Sequence, residues 1–115
     1  MNLPKAARLR RRREFLAVQQ QGTRVHSGDV IVLALDTGAG VPRIGITVSS
    51  KIASAVERNR VKRWVREAFR AMRTDLPAVD FVVIGRPAAL EMGVDGARRA
   101  IAAAAARVAR GGGAS

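Results

Sequence analysis

Cations recur at every fourth position between residues 58 and 70: Arg58, Lys62, Arg66 and Arg70. Residues four apart lie on the same side of an α-helix, so this spacing predicts a basic ridge along one helix. Like charges at this spacing destabilise an isolated helix by roughly 0.2–0.5 kcal/mol per pair, a cost that a polyphosphate partner would relieve. The alternative is a solvated amphipathic helix in an arginine-rich protein. Such helices normally include glutamate among the cations, which favours the binding surface.

An asparagine, Asn59, stands between Arg58 and Arg60 near the predicted start of the same helix. Arginine can hold a phosphate through two parallel hydrogen bonds, and an asparagine side chain both donates and accepts. The free N–H groups of a helix N-terminus also favour anions. The trio therefore suits an RNA backbone, although Arg-Asn-Arg alone is a weak signal in a chain with so many arginines.

The positive charge is concentrated in two segments of the chain. The 115 residues include 21 Lys+Arg against 9 Asp+Glu, a net charge of +12, and fifteen of the cations lie in residues 1–24 and 51–73. A surface that is basic only for solubility would intersperse both signs. The clustering therefore favours a binding face, with nucleic acid as the first candidate and an anionic membrane surface as the second.

Several function classes are excluded by residues that the chain lacks. It has no cysteine, which excludes disulfides, thiolate catalysis and cysteine-based zinc sites. Its one histidine, His26, is expected to be a solvated residue in a loop. Four aspartates are expected to mark strand ends and turns rather than to form an acid–base pair or a metal site: Asp29, Asp36, Asp75 and Asp80. No apolar run approaches about 18 residues, so no segment is expected to span a membrane, and no secretory signal is evident, so we expect a cytoplasmic protein.

Hydrophobic periodicity and turn residues predict a single domain with the element order αββαβα. The predicted elements are a helix over 11–20, strands over 29–36 and 43–50, a helix over 54–73, a strand over 80–86 and a helix over 94–110. We expect the first two strands to form a hairpin. The fold class is α+β, an α/β sandwich with a small central sheet packed by helices. We expect residues 1–110 to form one RNA-binding domain with a basic N-terminal arm over 1–10, and residues 111–115 to form a disordered tail.

The helix over 54–73 carries the strongest local signals. Ser54 and Glu57 have the spacing of a capping box, which marks a helix start. Apolar residues then recur with helical periodicity and predict a buried stripe: Val61, Trp64, Val65, Ala68 and Met72. The cations lie outside that stripe and are expected to face solvent. In the helix over 11–20, which Gly22 closes, the apolar candidates are Phe15, Leu16 and Val18.

The stretch 45–70, GITVSSKIASAVERNRVKRWVREAFR, resembles the signature of the bacterial ribonuclease P protein component. The matching positions within it are Ala55-Val56, Arg58-Asn59-Arg60, Lys62-Arg63, Arg66-Glu67 and Phe69-Arg70. Outside it the matches are Arg8-Leu9, Glu14-Phe15, Val18, Gly22 and Arg86-Pro87, so the likeness covers roughly residues 8–108. The resemblance implies the α/β sandwich of that family, in agreement with the predicted element order.

The resemblance also implies a subunit of a ribonucleoprotein whose RNA performs the cleavage. In that family the complex removes the 5′ leader of precursor tRNA by metal-assisted hydrolysis, with Mg2+ held mainly by the RNA. The expected partners are the catalytic RNA and the precursor tRNA leader, with no DNA and no membrane. No catalytic residue is then expected in the protein. The residues against the catalytic RNA would be Arg58, Asn59, Arg60, Lys62, Arg63 and Arg66.

By the same resemblance, a cleft between the first helix and the sheet would take the single-stranded leader. Phe15 would stack there beside Gln19, and Lys51 and Arg86 would neutralise phosphates. An aromatic residue often stands in the family where this chain has Gln19 and Leu33, so leader affinity would depend more on electrostatics here. A simpler alternative for Phe15 is a core residue. The basic arm either contacts RNA or is merely flexible, and its arginines are Arg8, Arg10, Arg11, Arg12 and Arg13.

Two other function classes remain open. One is a generic RNA-binding or ribosomal protein with no role in cleavage. Within that class a helix-turn-helix reader is disfavoured, because predicted strands flank the basic helix. The other class is a protein enzyme with its own catalytic residues, for which the spacing of the carboxylates gives no sign.

Overall fold

A computed structural model describes residues 3–109 of the chain. They form a four-stranded sheet with the strand order β1-β2-β4-β3. The strands are β1 (Thr23–His26), β2 (Val30–Leu35), β3 (Arg43–Thr47) and β4 (Asp80–Gly85). β1 with β2 and β2 with β4 are antiparallel, whereas β3 lies parallel to β4. The predicted tail over 111–115 lies outside the described residues.

Three α-helices cover the sheet: α1 (Arg12–Gln21), α2 (Ala55–Met72) and α3 (Gly93–Ala109). Short 3-10 turns stand at Lys5–Ala7, Arg73–Asp75 and Pro87–Glu91. α2 and α3 pack on one face of the sheet and α1 on the other, which confirms the predicted α+β sandwich. Gly22 ends α1 as expected: its N–H donates to the carbonyl oxygen of Val18 at 2.8 Å, and its own backbone is extended, with ψ at 157°.

The two faces of the sheet bury two separate cores. The larger core joins alternate strand residues such as Val32 and Phe81 to α2 and α3, and the Phe69 and Phe81 rings meet edge to face at 6.3 Å. The smaller core consists of Leu9, Val18, Leu33 and Val82 beneath α1. β2 and β4 are therefore buried on both sides, which is why their sequences are nearly continuous apolar runs.

The expected hairpin between the strands over 29–36 and 43–50 is wrong. β4 lies between β2 and β3, and it pairs with both. The reason is burial. Phe81, Val82 and Val83 are all buried, and a strand that is buried on both faces takes a central position, with a partner strand on each edge. The chain leaves β3, passes through α2 and returns to the sheet as β4, which lies parallel to β3.

A further strand, β1, joins the predicted elements. It was missed because it has only four residues, of which Arg24 and His26 are exposed and Thr23 and Val25 half-buried. His26 therefore lies at the end of a strand and not in a loop, although it is exposed as expected. The element order is αβββαβα when β1 is counted.

The segment before α1 is packed against the domain. Leu3, Ala7 and Leu9 are buried, and the N–H of Leu9 donates to the carbonyl oxygen of Ile44 at 2.9 Å. This segment covers the outer edge of β3, so residues 3–9 are not a free arm. The arginines that follow are thereby held beside the start of α1.

Candidate nucleic-acid interface

The basic helix begins where the sequence predicts. Ser54 caps α2: its hydroxyl accepts the N–H of Glu57 at 3.1 Å, and its own N–H donates to the Glu57 carboxylate at 2.8 Å. The hydrogen bond from the Ser54 backbone lowers the pKa of Glu57. Both halves of the predicted capping box are therefore present, and they fix the rotation of the helix from its first turn.

One side of α2 is buried and the other is basic. Val61, Val65, Ala68 and Phe69 are buried, and Trp64 is half-buried against the larger core. The predicted RNA-facing residues occupy the remaining surface: Asn59, Arg60, Arg63 and Arg66 are exposed, and Arg58 and Lys62 are half-buried. We call the surface formed by these six residues the ridge. The structure brings all six residues onto one helix, and their contact with RNA stays a prediction.

Arg58 differs from the other ridge residues because it contacts its own backbone. Its Nη1 donates to the carbonyl oxygen of Ala53 at 3.0 Å, just before the helix begins. This contact holds the guanidinium at the N-terminal end of the ridge, beside the buried face of the helix.

An open groove of about 450 Å³ lies on the opposite face of the sheet, between α1 and β3. Its lining residues are Arg10, Arg12, Phe15, Leu16, Gln19, Ile46 and Thr47. Phe15 and Gln19 were predicted for a leader cleft, and Arg10 and Arg12 belong to the predicted basic arm. Leu16 was expected to be an apolar residue of the helix, but it is exposed and faces the groove.

Phe15 is half-buried, so it belongs both to the smaller core and to the groove wall. Its ring lies on Gly45 of β3, where an added Cβ would come within 2.6 Å of Cε2 and 2.7 Å of Cζ. Only glycine allows the ring to approach the sheet this closely. Gly45 therefore sets the depth of the groove at this point.

The two predicted phosphate-neutralising residues do not line the groove. Lys51 stands in the turn after β3, where its N–H donates to Ser49 Oγ at 3.0 Å. Arg86 follows β4, and its N–H donates to the carbonyl oxygen of Asp29 at 3.2 Å. Both are exposed at the end of the sheet where the parallel strands β3 and β4 finish. The structure therefore places them beyond Thr47, next to the groove.

A buried ion pair, which sequence reasoning missed, ties β3 to β4. Asp80 is 1% exposed and accepts from Arg43 Nε and Arg43 Nη2, each at 2.7 Å. The Thr37 hydroxyl donates to the same carboxylate at 2.7 Å. The hydrogen bond to Asp80 raises the pKa of Arg43. Asp80 was expected to mark a strand end or turn. Arg43 was not identified as its partner because the parallel pairing of β3 with β4 was not predicted.

The same arginine reaches the start of α1. Arg43 Nη1 lies 3.3 Å from Glu14 Oε2, and Glu14 Oε1 accepts the N–H groups of Arg10 and Arg11 at 3.0 and 2.9 Å. These backbone hydrogen bonds, from Arg11 first and Arg10 second, lower the pKa of Glu14, and the charge of Arg43 adds to the effect. Arg43 thus connects the sheet to the segment that carries Arg10 and Arg12 into the groove.

The ridge and the groove lie on opposite faces of the sheet but share one end of it. Thr47 lines the groove at the end of β3, and eight residues later Ala55 begins α2. Lys51 stands in this connection. The N-terminal half of the ridge and the open end of the groove are therefore neighbours.

The described residues contain no cluster of three or more His, Cys, Asp or Glu side chains that could hold a metal ion. Glu14 and Asp80 are instead engaged by Arg43. Within residues 3–109, no helix is long and apolar enough to cross a membrane.

The chain is similar in sequence to known ribonuclease P proteins. The sequence pattern of the family Ribonuclease P matches residues 3–109. A ribonuclease P protein component from Proteus mirabilis is 42% identical over 90 residues, which is 77% of this chain and 76% of that protein. The Escherichia coli protein of the same description is 42% identical over 84 residues, 72% of this chain and 71% of that protein.

Solved structures of the same description have the same fold. The RNase P protein from Thermotoga maritima superimposes with a TM-score of 0.75 at 34% identity, covering 87% of this chain and 96% of that chain. The RNase P protein from Staphylococcus aureus gives a TM-score of 0.78 at 28% identity, covering 92% of this chain and 97% of that chain.

Proposed function

Since this chain belongs to the ribonuclease P protein family and acts as a protein subunit of that ribonucleoprotein, we propose how it assists removal of the 5′ leader from precursor tRNA. The ridge on α2 binds the catalytic RNA, and the groove beneath α1 binds the single-stranded leader. Partnership with ribonuclease P RNA follows from the family; the assignment of each surface to one RNA is the proposal.

One observation carries this assignment: two basic surfaces of different shape lie on opposite faces of one sheet and meet at one end. A ridge of exposed cations on a rigid helix suits the phosphates of a folded RNA. A groove with an aromatic ring, an apolar floor and flanking arginines suits a strand whose bases are unpaired. The protein thereby neutralises two polyanions that would otherwise repel each other.

The ridge is suited to phosphate contact because, among the described residues, none of its cations forms an ion pair within 4.0 Å. The ion pairs at that distance are those of Arg43 with Glu14 and Asp80, on the α1 side of the sheet. Glu57 is engaged with the helix start through Ser54. The like charges along the ridge are therefore available to an external anion.

The groove is suited to bases as well as phosphates. Phe15 presents part of its ring, and Leu16 adds apolar surface beside it. Arg10 and Arg12 line the groove, and Lys51 and Arg86 are exposed beyond Thr47, where β3 and β4 end. Stacking of one base on an aromatic side chain contributes about 1–3 kcal/mol and tolerates any sequence, as recognition of varied leaders requires.

The catalytic step is assigned to the RNA in this proposal. Within residues 3–109 no group of three or more His, Cys, Asp or Glu side chains comes together. In this proposal the Mg2+ that the hydrolysis requires is held mainly by the RNA. The protein contributes binding and positioning of the two RNAs.

Reconstitution with and without the cognate RNA tests this division of work. We expect the protein alone to leave precursor tRNA uncleaved, the RNA alone to cleave at high Mg2+, and the two together to cleave at lower Mg2+. A protein with Arg60→Ala and Lys62→Ala should lower the Mg2+ requirement less than the unmodified protein. Robust Mg2+-dependent cleavage by the RNA-free protein would place catalysis in the protein. An unchanged Mg2+ requirement would indicate a generic RNA-binding protein.

A further inference from the structure

The floor of the groove continues across the whole sheet. The register places Thr47, Ile84, Ile31 and His26 side by side on the four strands, on the face that α1 covers. In the row before it, Val82 and Leu33 are buried under α1. Ile84 and Ile31 are only half-buried, and His26 is exposed. α1 therefore leaves this outer row open from β3 to β1.

β1 places two polar side chains on the same face of the sheet as the open row. Side chains of a strand alternate between the two faces, and Val25 packs against the larger core on the α2 and α3 side. Arg24 and His26 must then lie on the opposite face, with α1. Arg24 is paired in register with Leu33, and His26 with Ile31.

The carboxylates near this face are already engaged or point elsewhere. Glu14 and Asp80 are bound by Arg43. The Asp29 carboxylate lies on the side of α3, where its Oδ2 is 3.5 Å from the position of a Cβ built at Gly96. The face is therefore positive at both ends, with Arg12 beside α1 and Arg24 on β1.

The rings of the chain are also distributed unevenly. Trp64, Phe69 and Phe81 all belong to the larger core, on the other side of the sheet. Phe15 and His26 are the two that lie on the α1 side. Three strand spacings of about 4.8 Å separate β3, on which the Phe15 ring lies, from β1, so an RNA strand that contacts both must cross roughly 14 Å of the sheet.

We propose that His26 and Arg24 form the far end of the single-stranded RNA track, with a base stacked on His26 and a phosphate bound by Arg24. The strand runs from Phe15 along the open row to β1. This rests on the proposed leader-binding function of the groove. Imidazole is one of the rings on which unpaired RNA bases stack. The competing role for two polar residues here is to keep the edge strand from pairing with another chain.

A series of precursor tRNAs with progressively longer leaders tests the track in the reconstituted holoenzyme. We expect affinity to rise as the leader lengthens, first over the nucleotides at Phe15 and again when it reaches β1. His26→Ala should remove the second rise, a loss of about fivefold, the low end for one stacked base. His26→Phe keeps a ring and should retain it, and Arg24→Ala should reduce the salt dependence by about one phosphate contact. Arg98→Ala, an exposed cation on α3, is the matched control.

The outcomes separate this inference from the proposed function. A length dependence that Phe15→Leu reduces but His26→Ala and Arg24→Ala leave intact would overturn the track and keep the groove. No length dependence at all would overturn both. Because the chain has no cysteine, His26→Cys can carry a photoreactive group at a single site. It should crosslink to leader nucleotides farther from the cleavage site than those reached from Gln19→Cys, and crosslinks only to the catalytic RNA would contradict the track.

Discussion

The ridge and the groove are built in different ways. The ridge depends on one helix, whose start is fixed by Ser54 and Glu57 three residues apart. The groove depends on contacts between distant parts of the chain: Phe15 on Gly45, and Glu14 linked through Arg43 to Asp80. A surface made by local contacts should tolerate damage elsewhere in the fold, whereas a surface assembled from three distant segments should not. The two surfaces can therefore be separated experimentally.

The largest effect is expected at the ion pair that supports the groove. Arg43→Met leaves the buried Asp80 carboxylate without its counter-charge. We expect the free energy of unfolding to fall by about 3 kcal/mol, at the lower end for breaking a buried pair because the Arg43 side chain is 21% exposed. Urea denaturation measures this loss. In the cold, where the variant stays folded, leader affinity should fall more than affinity for the catalytic RNA.

The matched variant combines Arg43→Met with Asp80→Asn. Removing the buried charge together with its partner should recover a large part of the lost stability, because the cost comes from an unpaired carboxylate. Equal destabilisation by the single and double variants would show that the pair acts through packing alone. Equal losses of affinity for leader and catalytic RNA would contradict the separate construction of the two surfaces.

A smaller effect is expected at the ridge. Arg60→Ala with Lys62→Ala removes two cations, at up to about 0.7 kcal/mol each for exposed contacts. Assembly with the catalytic RNA should weaken by about tenfold, and the slope of log K against log salt should flatten by up to about two phosphate contacts. Filter binding over a range of salt concentrations measures both.

The control for the ridge is Arg98→Ala with Arg99→Ala, which removes the same net charge from exposed positions of α3. This pair should change assembly much less than the ridge variant. If both double variants weaken assembly equally, net charge and not the ridge governs binding. An unchanged salt slope for the ridge variant would show that the ridge faces solvent in the complex.

The smallest effect concerns pH and the cap of α1. The pKa of Glu14 is lowered in the folded protein, so its contribution is present above the ordinary value of 4.5 and is lost as the pH falls through the lowered pKa. Glu14→Gln should lower the free energy of unfolding by about 0.5 kcal/mol at pH 7, because glutamine keeps the acceptor oxygen but loses the negative charge at the helix N-terminus. Urea denaturation from pH 7 to pH 3 should show this difference shrinking in acid. A difference that stays constant down to pH 3 would contradict this role of Glu14.

The two surfaces also differ in how far the sequence predicts them. The capping box, the buried stripe and the ridge of α2 were predicted correctly, because each follows from residues three or four apart. The position of β4 between β2 and β3 was not, because it depends on which strands must be buried on both faces. The pair of Arg43 with Asp80 was missed for the same reason, since the two residues meet only through the parallel register.

The groove was predicted in part. Phe15 and Gln19 line it, whereas Lys51 and Arg86 lie at its end. β1 was missed because a four-residue edge strand with two exposed polar residues has too short an apolar pattern. Its alternation becomes informative only after the neighbouring strand is known, because Val25 then marks the buried face.

The central claim is that the two faces of the sheet bind two different RNAs. Equilibrium binding by two variants in two assays tests it most directly: Phe15→Leu and the Arg60→Ala, Lys62→Ala pair, each measured for assembly with the catalytic RNA and for the affinity ratio of leader-bearing to mature tRNA. We expect Phe15→Leu to lower the ratio by about tenfold, since leucine keeps the apolar contact and loses the stacking ring, and to leave assembly unchanged. The ridge pair should weaken assembly and leave the ratio unchanged once the complex is saturated. Parallel losses in both assays for both variants would contradict two separate surfaces.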